Sequence, residues 1–144
     1  MTKQKKAIQI VAVDFDGTLT LSDDNYPECG QIDIVAVEVL KEFRRGGGKV
    51  ILWTCRYDEA LDNALAVCRE NGLLFDAVND NLPEQSAKWR ATHPNAKMSR
   101  KIYADMYIDD RSAEAVFDGR IDWDSVCSLL LGKTLDKFWR EYDI

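Results

Sequence analysis

The sequence predicts an α/β fold in which a mainly parallel sheet is covered by helices on both faces. Short apolar runs alternate with longer segments whose apolar residues recur at helical spacing. The runs are nearly continuous, which is typical of strands buried on both faces of a parallel sheet. Three of them end in polar residues: Asp14 and Asp16, Thr54, and Asp109 with Asp110. We therefore expect a Rossmann-like three-layer sandwich formed by a single domain, residues 1–144.

The strands are expected where β-branched and apolar residues cluster between polar turns. They are 8–13, 49–53, 73–78 and 104–108. After the first strand, residues 19–32 are polar and turn-rich, which predicts a loop or small hairpin lying over the strand's end.

The helices are expected between and after these strands. They are 32–45, 58–71, a short helix over 83–89, and then 112–117, 124–131 and 135–142. In the first helix an early Asp33 and a late Arg44 suit the helix dipole. Asn71 and Gly72 end the second helix, and His93 with Pro94 ends the short one.

Composition disfavours several classes of function. The net charge of −6 disfavours nucleic-acid binding without excluding a local basic patch. No apolar run reaches the length of a membrane span, and the N-terminus shows no signal-peptide pattern, so we expect a cytoplasmic protein. The four cysteines have no CxxC spacing and are expected to be reduced thiols. A single histidine, His93, makes a histidine-based triad or metal site difficult to build.

The end of the first strand is the strongest functional signal. Residues two apart in an extended chain share a face, so Asp14 and Asp16 are able to project together beyond the strand. Gly17 permits a tight turn directly afterwards. Carboxylates at the tip of a buried strand are unfavourable unless a cation is present.

The carboxyl ends of parallel strands meet at one edge of the sheet, where ligands bind. If Asp14, Asp16, Asp109 and Asp110 converge there, four formal negative charges raise one another's pKa. All-oxygen ligands of this kind predict Mg²⁺. One Mg²⁺, a lysine and a protonated Asp bring the charge near zero, so that the site accepts a phosphate dianion.

The sequence resembles the haloacid dehalogenase superfamily on four motifs in the family's order. Asp14-Phe15-Asp16-Gly17-Thr18 is similar to its first motif, DxDGT, and Thr54 after an apolar strand to the second. Lys101 is similar to the third-motif lysine, with Lys88 and Lys97 as alternatives. Asp109-Asp110 is similar to the DD form of the fourth. The motifs span residues 8–111.

The resemblance implies an Mg²⁺-dependent phosphatase with specific residue roles. Asp14 is expected to be the nucleophile that forms an aspartyl-phosphate, and Asp16 the group that protonates the leaving oxygen and then activates water. Thr54 and Lys101 are expected to contact the phosphoryl group, and Thr18 to brace the turn. Mg²⁺ is expected to be held by the main-chain carbonyl of Asp16 and the carboxylates of Asp14 and Asp109. Asp110 is expected to complete the metal site through metal-bound water or to orient Lys101.

Positive charge beside the strand ends predicts further substrate contacts, from Arg56 and Arg111. Neither 19–49 nor 55–100 leaves room for a separate cap domain, so the chain resembles the family's small capless members. An uncovered site favours a phosphorylated macromolecule or a lid from a partner subunit, although a phosphorylated small molecule remains open. Tyr26 and Trp89 are candidate rim residues, with simple packing as the alternative.

Three other functions fit parts of the pattern. A phosphate-receiving signalling domain also uses strand-end aspartates, but there the adjacent acid pair comes early, whereas here it comes late. A scaffold that has kept only the fold should have lost Asp14, Asp16 or Asp109, and all three are present. A nucleic-acid-end or phosphoprotein phosphatase would use the same chemistry, and the acidic balance disfavours the nucleic-acid substrate.

Overall fold

The computed structural model describes residues 7–113 and 119–142. The four strands of these residues form one sheet: β1 (Ile10–Val13), β2 (Lys49–Leu52), β3 (Ala77–Val78) and β4 (Met106–Ile108). Within the described ranges, five helices accompany them: α1 (Ile34–Arg45), α2 (Asp58–Glu70), α3 (Pro83–Thr92), α4 (Trp123–Leu131) and α5 (Leu135–Tyr142). The predicted α/β fold is confirmed.

All described strand pairs are parallel, in the order β3-β2-β1-β4. The chain steps from β1 to β2 to β3 in one direction and then crosses to the other side of β1 to form β4. The switch in strand order therefore falls between β1 and β4, where ligands bind in open α/β sheets. Val13 is in register with both Leu52 and Ile108, so three strands end at the same level.

The sheet is buried on both faces because β1 and β2 carry apolar residues at every position but Lys49. Val11 and Val13 face the main core, which holds the inner sides of α1, α2, α4 and α5. Ile10 and Ala12 face a smaller core with Leu82 and Ile102. This second face is covered by the start of α3 and the segment before β4, giving three layers.

Local chemistry explains where α1 begins and ends. The Asp33 side chain accepts from the amides of Val35 and Ala36, which are unpaired at the first turn. The chain then turns sharply at Gly48, where a Cβ would lie 2.5 Å from the Phe43 ring. A larger residue at this position would displace an aromatic ring of the core.

The predicted strands are longer than the observed ones. The structure starts β1 at Ile10 rather than 8, ends β2 at Leu52 rather than 53, and reduces β3 to two residues and β4 to three. At the start of β1 the Asp105 carboxylate accepts the amides of Gln9 and Ile10, so a side chain replaces the strand partner there.

The predicted bounds of the helices lie closer to the observed ones than those of the strands do. The first helix starts at Ile34 rather than 32 because Asp33 is its cap, the second ends one residue early at Glu70, and the short helix continues to Thr92 rather than 89. The loop 19–32 is closed by one antiparallel bridge, Thr20 to Ile32. The helices near the C-terminus match within one residue, and the predicted helix 112–117 falls largely outside the described residues.

None of the helices described has both the length and the apolar character needed to cross a lipid bilayer. All four cysteines are free thiols.

Candidate functional site

The site lies at the carboxyl edge of the sheet, where β1, β2 and β4 end together. The Asp14 amide donates to the Ile108 carbonyl (3.0 Å), and the Trp53 amide donates to the Val13 carbonyl (2.8 Å). These bonds continue the parallel pairing one residue beyond the strands. They hold Asp14 between the residues that follow β2 and β4.

Three of the predicted metal ligands converge. Asp14, Asp109 and Asp110 each offer a carboxylate oxygen, and these oxygens lie within 4.8 Å of one another. The three residues are half-buried. Carboxylate oxygens at this spacing suit a hard divalent cation, so the acid triad is able to hold a metal ion.

The acid triad is electrostatically unfavourable without a cation. Burial, together with the charges of Asp109 and Asp110, raises the pKa of Asp14 from 3.8 to about 7, although a hydrogen bond from the Phe15 amide opposes the shift. Burial and hydrogen bonding with Asp109 also raise the pKa of Asp110. Like charges forced together in this way are characteristic of metal and catalytic sites.

The turn after β1 is built to bring Asp110 close. The amides of Thr18, Leu19 and Thr20 all donate to the Phe15 carbonyl. The Thr18 hydroxyl accepts from the Asp110 amide at 3.0 Å and lies 3.4 Å from the Asp14 carboxylate. The prediction that Thr18 braces the turn agrees with these contacts.

Gly17 is required at the turn on two grounds. Its φ of +77° is in the left-handed region, which favours glycine. A Cβ at this position would lie 2.4 Å from Oδ2 of Asp110. The glycine therefore gives the Asp110 carboxylate room beside the first motif.

Thr54 follows β2 and is held by its neighbours. Its amide donates to the Asn79 side chain at 2.8 Å, and its hydroxyl oxygen accepts from the Arg56 amide at 3.1 Å. Among the described residues, the Thr54 hydroxyl donates no hydrogen bond, so its proton is available to another acceptor. Asn79 is not among the residues that the sequence predicts for the site, although the polar run Asn79-Asp80-Asn81 directly follows the third predicted strand.

Asp16 lies outside the acid triad and faces Arg56 instead. The Arg56 Nε donates to Asp16 Oδ2 at 2.8 Å, and Nη2 donates to Oδ1 at 2.7 Å. This is a bidentate pair in which the Arg56 side chain is 1% exposed and that of Asp16 is 23% exposed. The metal prediction for Asp16 concerned its main-chain carbonyl, which this pairing leaves untouched.

The predicted contact between Arg56 and substrate is revised by the structure. Besides Asp16, its guanidinium donates to the carbonyls of Pro27, Glu28 and Ala60 at 2.8–2.9 Å. These five bonds use all five donors of the side chain. Arg56 therefore has no donor left for a phosphate, because the protein's own acceptors surround it.

Lys101, the lysine predicted to contact Asp14, forms no ion pair with the acid triad. The Lys101 ammonium lies over the Tyr107 ring, 5.2 Å from its centroid, and no ion pair within 4.0 Å joins it to an acid among the described residues. Lys101 and Lys97 both line a cavity of about 540 Å³ on the α3 side. Lys88 lines a separate cavity of about 800 Å³ with Gln9 and Lys49, at the opposite edge of the sheet.

The remaining predicted contacts lie around the rim. The exposed Arg111 approaches Asp23 of the 19–32 loop at 3.9 Å. Tyr26 is half exposed and covers the Arg56 guanidinium, 5.0 Å from ring centroid to Cζ. Trp89 stacks on His93 at 3.8 Å and borders the cavity that Lys101 lines.

No protein-family model and no curated protein matches the chain. Among solved structures, it is similar to a conserved protein from Bacteroides thetaiotaomicron, with 36% sequence identity and a TM-score of 0.68. The match covers 93% of this chain and 98% of the other. Identity at this level over nearly the full length of both chains shows common descent, and the chain belongs to the same family as this conserved Bacteroides protein.

Proposed function

We propose that the protein is an Mg²⁺-dependent phosphohydrolase of the haloacid dehalogenase type, which cleaves a phosphate monoester through an aspartyl-phosphate on Asp14. The convergence of Asp14, Asp109 and Asp110 is the observation that carries the proposal. These acids come from two motifs 95 residues apart in the chain (109 − 14) and meet at the switch in strand order.

The acid triad fits Mg²⁺ because its members offer hard oxygen ligands within reach of one ion. Asp14 and Asp109 would hold the ion together with the Asp16 carbonyl, with Asp110 beside them. When bound, Mg²⁺ would supply positive charge to the acids and to the oxygens of a phosphate.

The chemistry divides between two residues at the end of β1. An oxygen of Asp14 attacks phosphorus, and the bond to the leaving oxygen breaks while that oxygen takes a proton from Asp16. Asp16 then accepts a proton from the water that cleaves the aspartyl-phosphate. The hydroxyl of Thr54 would donate a hydrogen bond to a phosphoryl oxygen.

The connections between the motifs add no separate domain within the described residues. The lack of a covering domain supports an open site. The candidate substrates therefore include phosphorylated macromolecules as well as small molecules. The acidic net charge favours a phosphoprotein over a nucleic-acid end.

A substrate panel with magnesium present tests the proposal. It contains sugar phosphates, nucleotides, a phosphopeptide, a 3′-phosphorylated oligonucleotide and p-nitrophenyl phosphate. We expect hydrolysis of at least one member that EDTA abolishes, and that Asp14→Asn reduces by at least about 1,000-fold, because the variant lacks the nucleophile. Near-normal turnover by Asp14→Asn, with its fold intact by circular dichroism, would exclude the aspartyl-phosphate.

A further inference from the structure

Arg56 is the largest fully buried side chain among the described residues, although it carries a charge. Its five donors meet five acceptors, as described above. The rings of Phe15 and Tyr26 flank its guanidinium, each 5.0 Å from ring centroid to Cζ. A guanidinium is always charged in proteins, and the pairing with Asp16 raises the pKa of Arg56 further.

A buried ion pair contributes little to stability when well-packed apolar residues could take its place. What such a pair provides is a defined orientation, because a bidentate guanidinium fixes the plane of the carboxylate that it binds. The residue fixed here is Asp16, the proposed proton donor and acceptor. A proton-transfer group needs a defined orientation towards the leaving oxygen and the attacking water.

The other acceptors of Arg56 come from two further segments. The carbonyls of Pro27 and Glu28 belong to the 19–32 loop, and the Ala60 carbonyl belongs to the first turn of α2. The guanidinium therefore makes the orientation of Asp16 depend on the position of this loop.

From this arrangement we propose that Arg56 is a positioning residue, which orients the Asp16 carboxylate for proton transfer and ties it to the 19–32 loop without contacting the substrate. The inference rests on the proposed phosphatase function. It predicts an effect on turnover and not on substrate affinity, because Arg56 is buried and has no donor free for a phosphate.

The experiment compares Arg56→Met and Arg56→Lys with matched variants of Arg44. Arg44 also forms a bidentate pair with an aspartate, Asp76, at 3.1 and 3.2 Å. That pair lies at the start of β2, since Asp76 also accepts the Val50 amide, and so at the opposite edge of the sheet from Asp14. The Arg44 variants control for the loss of one such ion pair.

We expect Arg56→Met to lower kcat about 100-fold with KM within threefold, as for a misplaced catalytic group. The loss should be larger for an alkyl phosphate than for p-nitrophenyl phosphate, because the alkyl leaving group needs the proton from Asp16. Arg56→Lys keeps the charge but not the planar fork, so it should lie between wild type and Arg56→Met. The Arg44 variants should keep kcat within threefold.

A double variant separates positioning from a structural role. Since Arg56 acts through Asp16, Asp16→Asn with Arg56→Met should be no more than about twofold slower than Asp16→Asn alone. Full additivity of the two losses would overturn the proposal. So would a tenfold rise in KM with kcat unchanged, because that result means a contact with substrate.

Limited proteolysis tests the tie to the loop without relying on catalysis. Glu28 is exposed in the 19–32 loop and offers a cleavage site for a glutamate-specific protease. We expect cleavage there to be at least tenfold faster in both Arg56 variants and unchanged in the Arg44 variants. Unchanged cleavage in the Arg56 variants would overturn the tie, whereas a wild-type protein without any Mg²⁺-dependent hydrolysis would overturn the proposed function itself.

Discussion

Two features of its position disfavour the charged form of Asp14. As the end of a buried strand it is half-buried, and as a member of the acid triad it lies beside two other carboxylates. Both effects favour its neutral form in the absence of metal, and together they raise its pKa to about 7. The arrangement of acids that suits a cation therefore lowers the stability of the metal-free fold.

The raised pKa of Asp14 predicts a dependence of stability on pH. An acid whose pKa is 3.8 when unfolded and about 7 when folded stabilises the protein at low pH, and this contribution is lost as pH rises through 7. Asp14→Asn is neutral at every pH. In the presence of a chelator, we expect it to raise Tm by about 5 °C at pH 8 and by less at pH 5.

Thermal unfolding at the two pH values measures this difference. Asp24→Asn, which changes an exposed acid of the 19–32 loop, serves as the control and should give the same small shift at both. An Asp14→Asn stabilisation that is equal at pH 5 and pH 8 would show that Asp14 does not titrate between them.

At the scale of elements, the C-terminal helices α4 and α5 pack into the main core. Phe138 of α5 is 2% exposed and belongs to this core, and the Tyr142 hydroxyl donates to the buried Glu38 of α1 at 2.5 Å. The C-terminal segment also carries Trp123 and Trp139. Both pack with the main core.

This packing predicts the effect of two substitutions in α5. Phe138→Ala should lower the free energy of unfolding by about 3–5 kcal/mol, because it leaves a cavity under the helix. Tyr142→Phe removes one hydrogen bond and should lower it by about 1 kcal/mol. Urea unfolding measures both, and equal effects of the two variants would contradict the anchoring role of Phe138.

The strands and their polar ends were predictable because both depend on local pattern. A run such as Ile10–Val13 is apolar at each position, and Asp14 follows directly. The exact start of β1 was not predictable, since it depends on Asp105, which binds amides 95 and 96 residues away. A side chain next to a neighbouring strand that binds the start of β1 leaves no periodic pattern in the sequence of β1 itself.

The site divides in the same way. The acid triad follows from parallel strands that end together, and the motif order located its members. The role of Arg56 could not be predicted, because its acceptors Asp16, Pro27 and Glu28 lie 28–40 residues earlier in the chain. From the sequence, a cation beside a strand end predicts a ligand contact. Only the position of the 19–32 loop in the fold shows that the protein's own carbonyls occupy this one.

At the scale of the whole molecule, the net charge of −6 and the acid triad have related consequences. Like charges within a compact fold repel, and a cation bound among them relieves the strongest local repulsion. A metal that binds only the folded state shifts the unfolding equilibrium by mass action. The chain should therefore be more stable with Mg²⁺ than without it.

We expect Mg²⁺ at ten times its dissociation constant to stabilise the fold by about 1.4 kcal/mol, or about 5 °C in Tm. Asp109→Asn should remove most of this gain, because it takes a ligand from the acid triad. Asp62→Asn makes the same change in net charge on the exposed side of α2 and should keep the gain. Scanning calorimetry at matched ionic strength measures the gain in Tm for the wild type and the two variants. Equal gains in all three proteins would mean that Mg²⁺ acts by general screening. A gain that is lost only in Asp109→Asn would locate the ion at the carboxyl edge of the sheet.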